Sequence, residues 1–155
     1  MGVLVSQKDI VQELKKHRSR KLIFTNGCFD ILHIGHIHLL KRCRELGDVV
    51  IVGLNSDNSV FRLKGTGHPV MPQNERAEIL TSLSMVDFVV IFEEDDPLNL
   101  IKLIRPDILV KGGDYTMDEV VGRKEIESWG GRVELFPYIK GVSTSDIISR
   151  IKSIP

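Results

Sequence analysis

Short unbroken blocks of apolar residues recur along this chain, and stretches with apolar residues at helical spacing fill the intervals between them. The blocks are Lys21 to Thr25 (KLIFT), Asp48 to Leu54 (DVVIVGL), Phe88 to Phe92, Asp107 to Lys111 and Val133 to Phe136. Each is short and bounded, as expected of strands buried on both faces of a parallel sheet. In the intervals, Ile10, Val11 and Leu14 mark an N-terminal helix from Ser6 to about Arg18, with Ser6 as its cap. Ile37, Leu39, Leu40, Cys43 and Leu46 mark a second helix from about Ile34, with Gly47 where a C-cap glycine would stand. Asn58 to Lys64 reads as a short helix, and Asn74 to Met85 as a longer one with Ala77, Ile79, Leu80 and Leu83 facing inward. Helices are further expected from Pro97 to about Ile104, through Glu119 to Trp129, and over Ile147, Ile148 and Ile151. Strand and helix alternating in this way predict a Rossmann-like, doubly wound α/β fold with a five-stranded parallel sheet and right-handed crossovers. Residues 1–155 read as a single domain, the helix at about 6–18 preceding a core at 21–152.

Composition narrows the class of partner. Lys plus Arg and Asp plus Glu both total 21, so the net charge is zero and no global attraction to nucleic acid or an anionic membrane is expected. No apolar run approaches the ~20 residues of a membrane span, and no signal-peptide hydrophobic region opens the chain, so a cytoplasmic location is expected. The two cysteines, Cys28 and Cys43, form neither a CxxC pair nor a zinc pattern. Cys43 falls in a helical pattern as a packing residue, Cys28 reads as a small residue in a tight turn, and no disulfide between them is expected.

Candidate chemistry collects after the strands. The stretch LIFTNGCFDILHIGH (Leu22 to His36) is a strand, a glycine turn and a helix start carrying His33 and His36 three residues apart, a spacing that puts both rings on one helix face beside free N–H groups. Asn26, Gly27, Cys28, Phe29 and Asp30 follow the first strand block, and Gly35 lets the backbone come close to a phosphate. Asn55 to Asp57 follow the second, Lys111, Gly112, Gly113, Asp114 and Tyr115 the fourth, and Ser143, Thr144 and Ser145 precede the last helix. In a doubly wound sheet such clusters converge on one edge. A nucleoside triphosphate attacked at its α-phosphorus needs donors and cations there, which His33, His36, Lys64 and Arg76 can supply, while Asp114 can accept from ribose hydroxyls. Taken singly, each has a structural alternative: packing histidines, solvated lysines and arginine, an ordinary serine cap. Their convergence favours one nucleotide site. The loop Gly65 to Pro72, with its glycines and prolines, is the candidate mobile segment. His17, His38 and His68 receive no role, and Trp129 is assigned to the core. There is no GxxxxGK[ST] and no GxGxxG after the first strand, which disfavours P-loop and dinucleotide chemistry.

The stretch GCFDILHIGH (Gly27 to His36) resembles the signature of the HxGH nucleotidyltransferases, the cytidylyltransferase-like superfamily. The likeness continues in order through NSD (Asn55 to Asp57), RLKGTGHPV (Arg62 to Val70), NER (Asn74 to Arg76), LVKGGDY (Leu109 to Tyr115) and GVSTSDII (Gly141 to Ile148). Within the superfamily the chain is most similar to the heptose 1-phosphate adenylyltransferase branch, which forms ADP-heptose. That resemblance implies in-line attack of a sugar phosphate oxygen on the α-phosphorus of ATP, with pyrophosphate leaving and no covalent enzyme intermediate. It implies that His33 and His36 stabilise the transition state and Lys64 contacts phosphates. Asp114 and its glycines would hold the ribose, and Ser143 and Thr144 the triphosphate. Asn55, Asp57 and Tyr115, which follow strands on the same rim, are the candidate acceptor contacts. Mg2+ is expected on the triphosphate without assignable protein ligands, a homodimer is common in the family, and the upstream sugar kinase is expected to be a separate protein. Tyr138, Ile139 and Lys140 stand where cytidylyltransferase relatives carry arginine and glutamate. A cytidylyltransferase acting on glycerol 3-phosphate, an adenylyltransferase acting on FMN, and a non-catalytic nucleotide-binding module are the competing readings.

Overall fold

The computed structural model, which describes residues 1–155, turns every apolar block into a strand within about two residues of its expected bounds. These are β2 (Leu22–Gly27), β3 (Val49–Asn55), β4 (Phe88–Phe92), β5 (Ile108–Gly112) and β6 (Arg132–Phe136). A sixth strand, β1 (Val3–Leu4), corrects the expected five: it adds in parallel to the far edge, with Val3 opposite Phe88. Two exposed residues carry no alternation to read, so the pattern misses it. The order is β1-β4-β3-β2-β5-β6 and every pairing is parallel.

Because successive side chains of a strand point to opposite faces, the blocks feed two cores. On one face Leu22, Phe24, Val49, Ile51, Val90 and Leu109 meet Ile10 and Leu14 of α1 (Gln7–Lys15), Leu100, Ile101 and Ile104 of α5 (Leu98–Ile104), and Ile126 of α6 (Arg123–Ser128). On the other, Ile23, Val50, Val52, Val89, Ile108 and Val110 meet Leu39, Leu40 and Cys43 of α2 (Ile34–Leu46), with Ala77 and Leu80 of α4 (Gln73–Thr81). Fully burying each such Leu, Ile or Val contributes roughly 1.5–3 kcal/mol. Trp129 is half-buried against the first core and its indole N–H donates to the Pro106 carbonyl at 3.0 Å.

Carboxylates tie the sheet at its N-terminal rim. Asp48 accepts from Lys21 N (2.9 Å), Asp107 from Leu22 N (2.7 Å), and Asp87 from Val50 N (2.7 Å) and the Arg44 guanidinium.

Several boundaries differ from expectation. Gly47 is extended at φ −169° and is not a left-handed cap. It is glycine for a different reason: a Cβ there would lie 2.7 Å from Ile23 Cδ1 and 2.9 Å from Lys21 O. Pro97 caps α5 from outside, with Asp96 accepting from Leu98 N at 2.9 Å. The helix expected through Glu119 to Trp129 splits into a 3-10 turn at Met117–Glu119 and α6, because the Glu119 carboxylate folds back onto Thr116 N at 2.7 Å and closes the turn locally. α3 (Asp57–Lys64) and α7 (Thr144–Lys152) complete the helices.

Candidate active site

The C-terminal rim of the sheet, opposite those aspartates, opens into a cavity of about 580 Å³. Its floor is the turn after β2, and α2 starts directly beyond it. His33 is not inside α2: it is the N-cap residue, extended at φ −137°, ψ 174°. Its Nδ1 accepts from Gly35 N at 3.1 Å, and His36 Nδ1 accepts from His33 N at 3.3 Å, a capping box made by two histidines. The rings stack with centroids 3.8 Å apart. Gly35 is required here, since a Cβ would fall 2.9 Å from the His33 ring.

This cap has a chemical consequence. An Nδ1 that accepts a backbone proton leaves a neutral ring's own proton on Nε2. Burial lowers the His33 pKa, with Lys64 acting in the same direction against Asp146. His36 is pushed down to about 3, first by burial and then by His33 and Lys64. Near pH 7 both rings are neutral and each presents an Nε2–H donor. The first turn of α2 itself holds no acidic residue, and the carboxylate that acts on its cap, Asp146, comes from α7.

Around the pair the lining includes Asn26, Gly27, Cys28, Phe29, Asp30, Gly35, Asn55, Lys64, Lys111, Gly112, Gly113, Tyr115, Ser143 and Thr144. Lys64 and Lys111 make no ion pair, and the Lys111 ammonium sits over the Tyr115 ring, 4.6 Å from its centroid. Burial holds Lys111 below the ordinary lysine range, so an anionic ligand would relieve an uncompensated cation. The Asn26 Oδ1 is buried and unpartnered. Burial pushes the Cys28 thiol up, away from a reactive thiolate.

Four residues with expected roles lie outside the lining: Asp57, Arg76, Asp114 and Ser145. Arg76 is the main correction. It is 1% exposed and each nitrogen of its guanidinium donates to the protein itself, so its fork is not free for a phosphate. Asp114 and Ser145 point to solvent. The Ser143 hydroxyl is engaged as the cap of α7, accepting from Asp146 N at 3.1 Å and donating to Asp146 Oδ2 at 2.6 Å. Asn55 Nδ2 donates to Ser59 Oγ at 3.0 Å. The Gly65–Pro72 segment does not line the cavity, and its far end is tied down: buried Asp30 accepts from Val70 N (2.8 Å) and Met71 N (2.9 Å).

Residue-type reasoning missed an apolar wall, Phe136 to Ile139 with Val142, that faces the histidine side. Tyr138 and Ile139 stood out only by departing from the charged residues of cytidylyltransferase relatives, and Phe136 and Pro137 only by their place at the end of a strand. A flat base can stack there. A cavity of nucleotide size on the C-terminal rim of a Rossmann-like sheet, lined by apolar side chains together with neutral donors and unpaired lysines, defines a protein that binds a nucleotide and acts at its phosphates.

Comparison with known proteins gives the family. A family model described as cytidylyltransferase-like matches residues 24–150, and the chain belongs to that family, as a nucleotidyltransferase. The bifunctional protein HldE of Syntrophotalea carbinolica is 53% identical over 146 residues, covering 94% of this chain and 30% of that protein. The bifunctional protein HldE of Acidiphilium cryptum is 56% identical over 138 residues, covering 89% and 28%. The chain thus spans about 30% of the length of these curated relatives. Among solved structures, a lipopolysaccharide core biosynthesis protein from Thermoplasma volcanium superposes with a TM-score of 0.64 at 32% identity, over 78% of this chain and 98% of that one. Pantothenate synthetase from Thermus thermophilus superposes with a TM-score of 0.66 at 18% identity, over 99% and 71%, a likeness of fold alone. No helix is long and apolar enough to cross a membrane.

Proposed function

We propose that this unit transfers AMP from ATP to a sugar 1-phosphate, heptose 1-phosphate, giving ADP-heptose. A phosphate oxygen of the sugar attacks the α-phosphorus, the bond from that phosphorus to the bridging oxygen of the β-phosphate breaks, and pyrophosphate leaves with the electron pair. The observation that carries this reading is the stacked His33–His36 pair, locked by backbone bonds into neutral Nε2–H donors beside Lys64. Donors already oriented where charge develops need no reorganisation during attack. The sugar is supported by identity of 53% to a bifunctional HldE and by the 32% identity to a lipopolysaccharide core biosynthesis protein.

Mg2+ arrives as part of the substrate, MgATP. No group of three or more His, Cys, Asp or Glu side chains is placed to hold a metal ion. The kinase that makes the sugar phosphate acts outside these 155 residues, and the reaction belongs in the cytoplasm, where ATP is supplied. Pyrophosphate release measured across ATP and CTP, each with heptose 1-phosphate, glycerol 3-phosphate and FMN, tests the proposal. Turnover is expected with ATP and the heptose phosphate. Turnover confined to CTP with glycerol 3-phosphate, or none with any acceptor despite ATP binding, overturns it.

A further inference from the structure

Arg76 is among the largest side chains that are fully enclosed. A buried cation is costly unless it is paired and hydrogen-bonded, and here four of the five guanidinium N–H groups find acceptors. Nε donates to Met71 O (2.9 Å), Nη1 to Cys28 O (2.7 Å) and Asn55 O (2.8 Å), and Nη2 to Asp57 Oδ1 (2.8 Å). The four acceptors belong to four segments that meet under the cavity. Cys28 is in the turn after β2, Asn55 ends β3, Asp57 starts the helix whose last residue is Lys64, and Met71 ends the loop that Asp30 holds.

The bond to Cys28 acts on the site through a peptide plane. The Cys28–Phe29 peptide is trans, so its C=O and N–H point in opposite directions. With the carbonyl drawn to the buried guanidinium, the Phe29 N–H is turned the other way, toward the cavity that Cys28 and Phe29 both line. That N–H has no acceptor in the chain. Phe29 also holds φ at 45°, a left-handed conformation that a non-glycine residue keeps only where surrounding structure enforces it. A charge-assisted bond to the carbonyl further polarises the peptide and makes its N–H a stronger donor.

We propose that Arg76 is a positioning residue: by holding the Cys28 carbonyl it aims the Phe29 N–H at a phosphate oxygen of the bound nucleotide, and through Asp57 it sets the helix bearing Lys64 against that donor. The rate arm of the test rests on the proposed transfer reaction; the binding arm does not. Amide NMR of the whole chain titrated with MgATP is expected to show a downfield shift of the Phe29 amide proton in the unsubstituted protein, and a clearly smaller one in Arg76→Lys, which keeps the charge but loses the fork. With ATP and the sugar phosphate, Arg76→Lys is expected to lower kcat by about tenfold or more, the range for losing part of one transition-state donor. KM for ATP is expected to stay within about threefold, as for an interaction made mainly in the transition state.

If Arg76→Lys does not fold, Asp57→Asn removes the network's one carboxylate at a partly exposed position and is expected to reduce the Phe29 response in the same direction. A Phe29 amide that ignores MgATP in the unsubstituted protein overturns the inference. So does a full Phe29 response with unchanged kcat in a variant that only melts earlier. A Phe29 response that is lost in the variant, in a protein that turns over no sugar phosphate, supports the inference and sinks the proposed function.

Discussion

At the residue scale the chemistry depends on which nitrogen of each imidazole faces the cavity. Gly35 N and His33 N hold the two Nδ1 atoms, so the protons sit on Nε2 and the pair acts as fixed donors. Removing one such donor typically costs about 10²–10³ in kcat. His36→Ala is therefore expected to lower kcat by about that factor while ATP binding largely survives, as read by steady-state kinetics beside calorimetry. Near-normal turnover would remove His36 from the mechanism. The same burial has a stability sign. His36 is held at about 3, well below the ordinary histidine value of 6.5, so the unfolded chain binds more protons than the folded one as pH falls below about 6.5. The stabilising contribution is present above that pH and is lost progressively toward about 3. Urea unfolding between pH 7 and 4.5 should show the wild type losing stability more steeply than His36→Asn; parallel slopes would refute this. Arg76 and Ser143 show what residue types hide: an arginine or serine near a phosphate site looks the same in sequence whether its polar atoms face a ligand or the protein's own backbone.

At the element scale the loop between α3 and α4 behaves as an anchored connection. Its composition suggests a lid, but the buried Asp30 carboxylate takes two backbone N–H groups at its far end. Hydrogen bonds to a charged acceptor contribute about 1.5–3 kcal/mol each. Asp30→Asn removes the charge and at most one of the two acceptors, so faster proteolysis within Gly65–Pro72 is expected, with or without MgATP. Unchanged cleavage kinetics would show that the loop is held by something else. The strands were legible because parallel strands buried on both faces read as unbroken apolar blocks. β1 was not, since its two residues are exposed and its place comes from backbone bonds to the β4 region, Val3 N to Asp87 O and Val5 N to Val89 O.

For the whole molecule, zero net charge coexists with a cavity lined by unpaired Lys64 and Lys111. Attraction of a polyanionic substrate is then local, and the Debye length of about 10 Å at 0.1 M salt screens it beyond the mouth. Raising salt from about 0.05 to 0.5 M is expected to weaken MgATP binding modestly and leave the fold intact; a binding constant indifferent to salt would argue against the lysines as phosphate contacts. Convergence of the post-strand clusters was readable because topology alone sends strand ends to one rim. The apolar wall from Phe136 was not, since its stretch differs from core residues only in where the chain turns.

The aspartates at the N-terminal rim bear on how the enzyme could change over generations. Asp48, Asp87 and Asp107 fasten the strands at the end of the sheet away from the cavity. Substitutions among the exposed lining residues therefore disturb few of the bonds that keep the sheet in register. Acceptor preference can drift at one rim while the other preserves the architecture, and libraries confined to the cavity side should yield folded proteins far more often than libraries at the opposite rim.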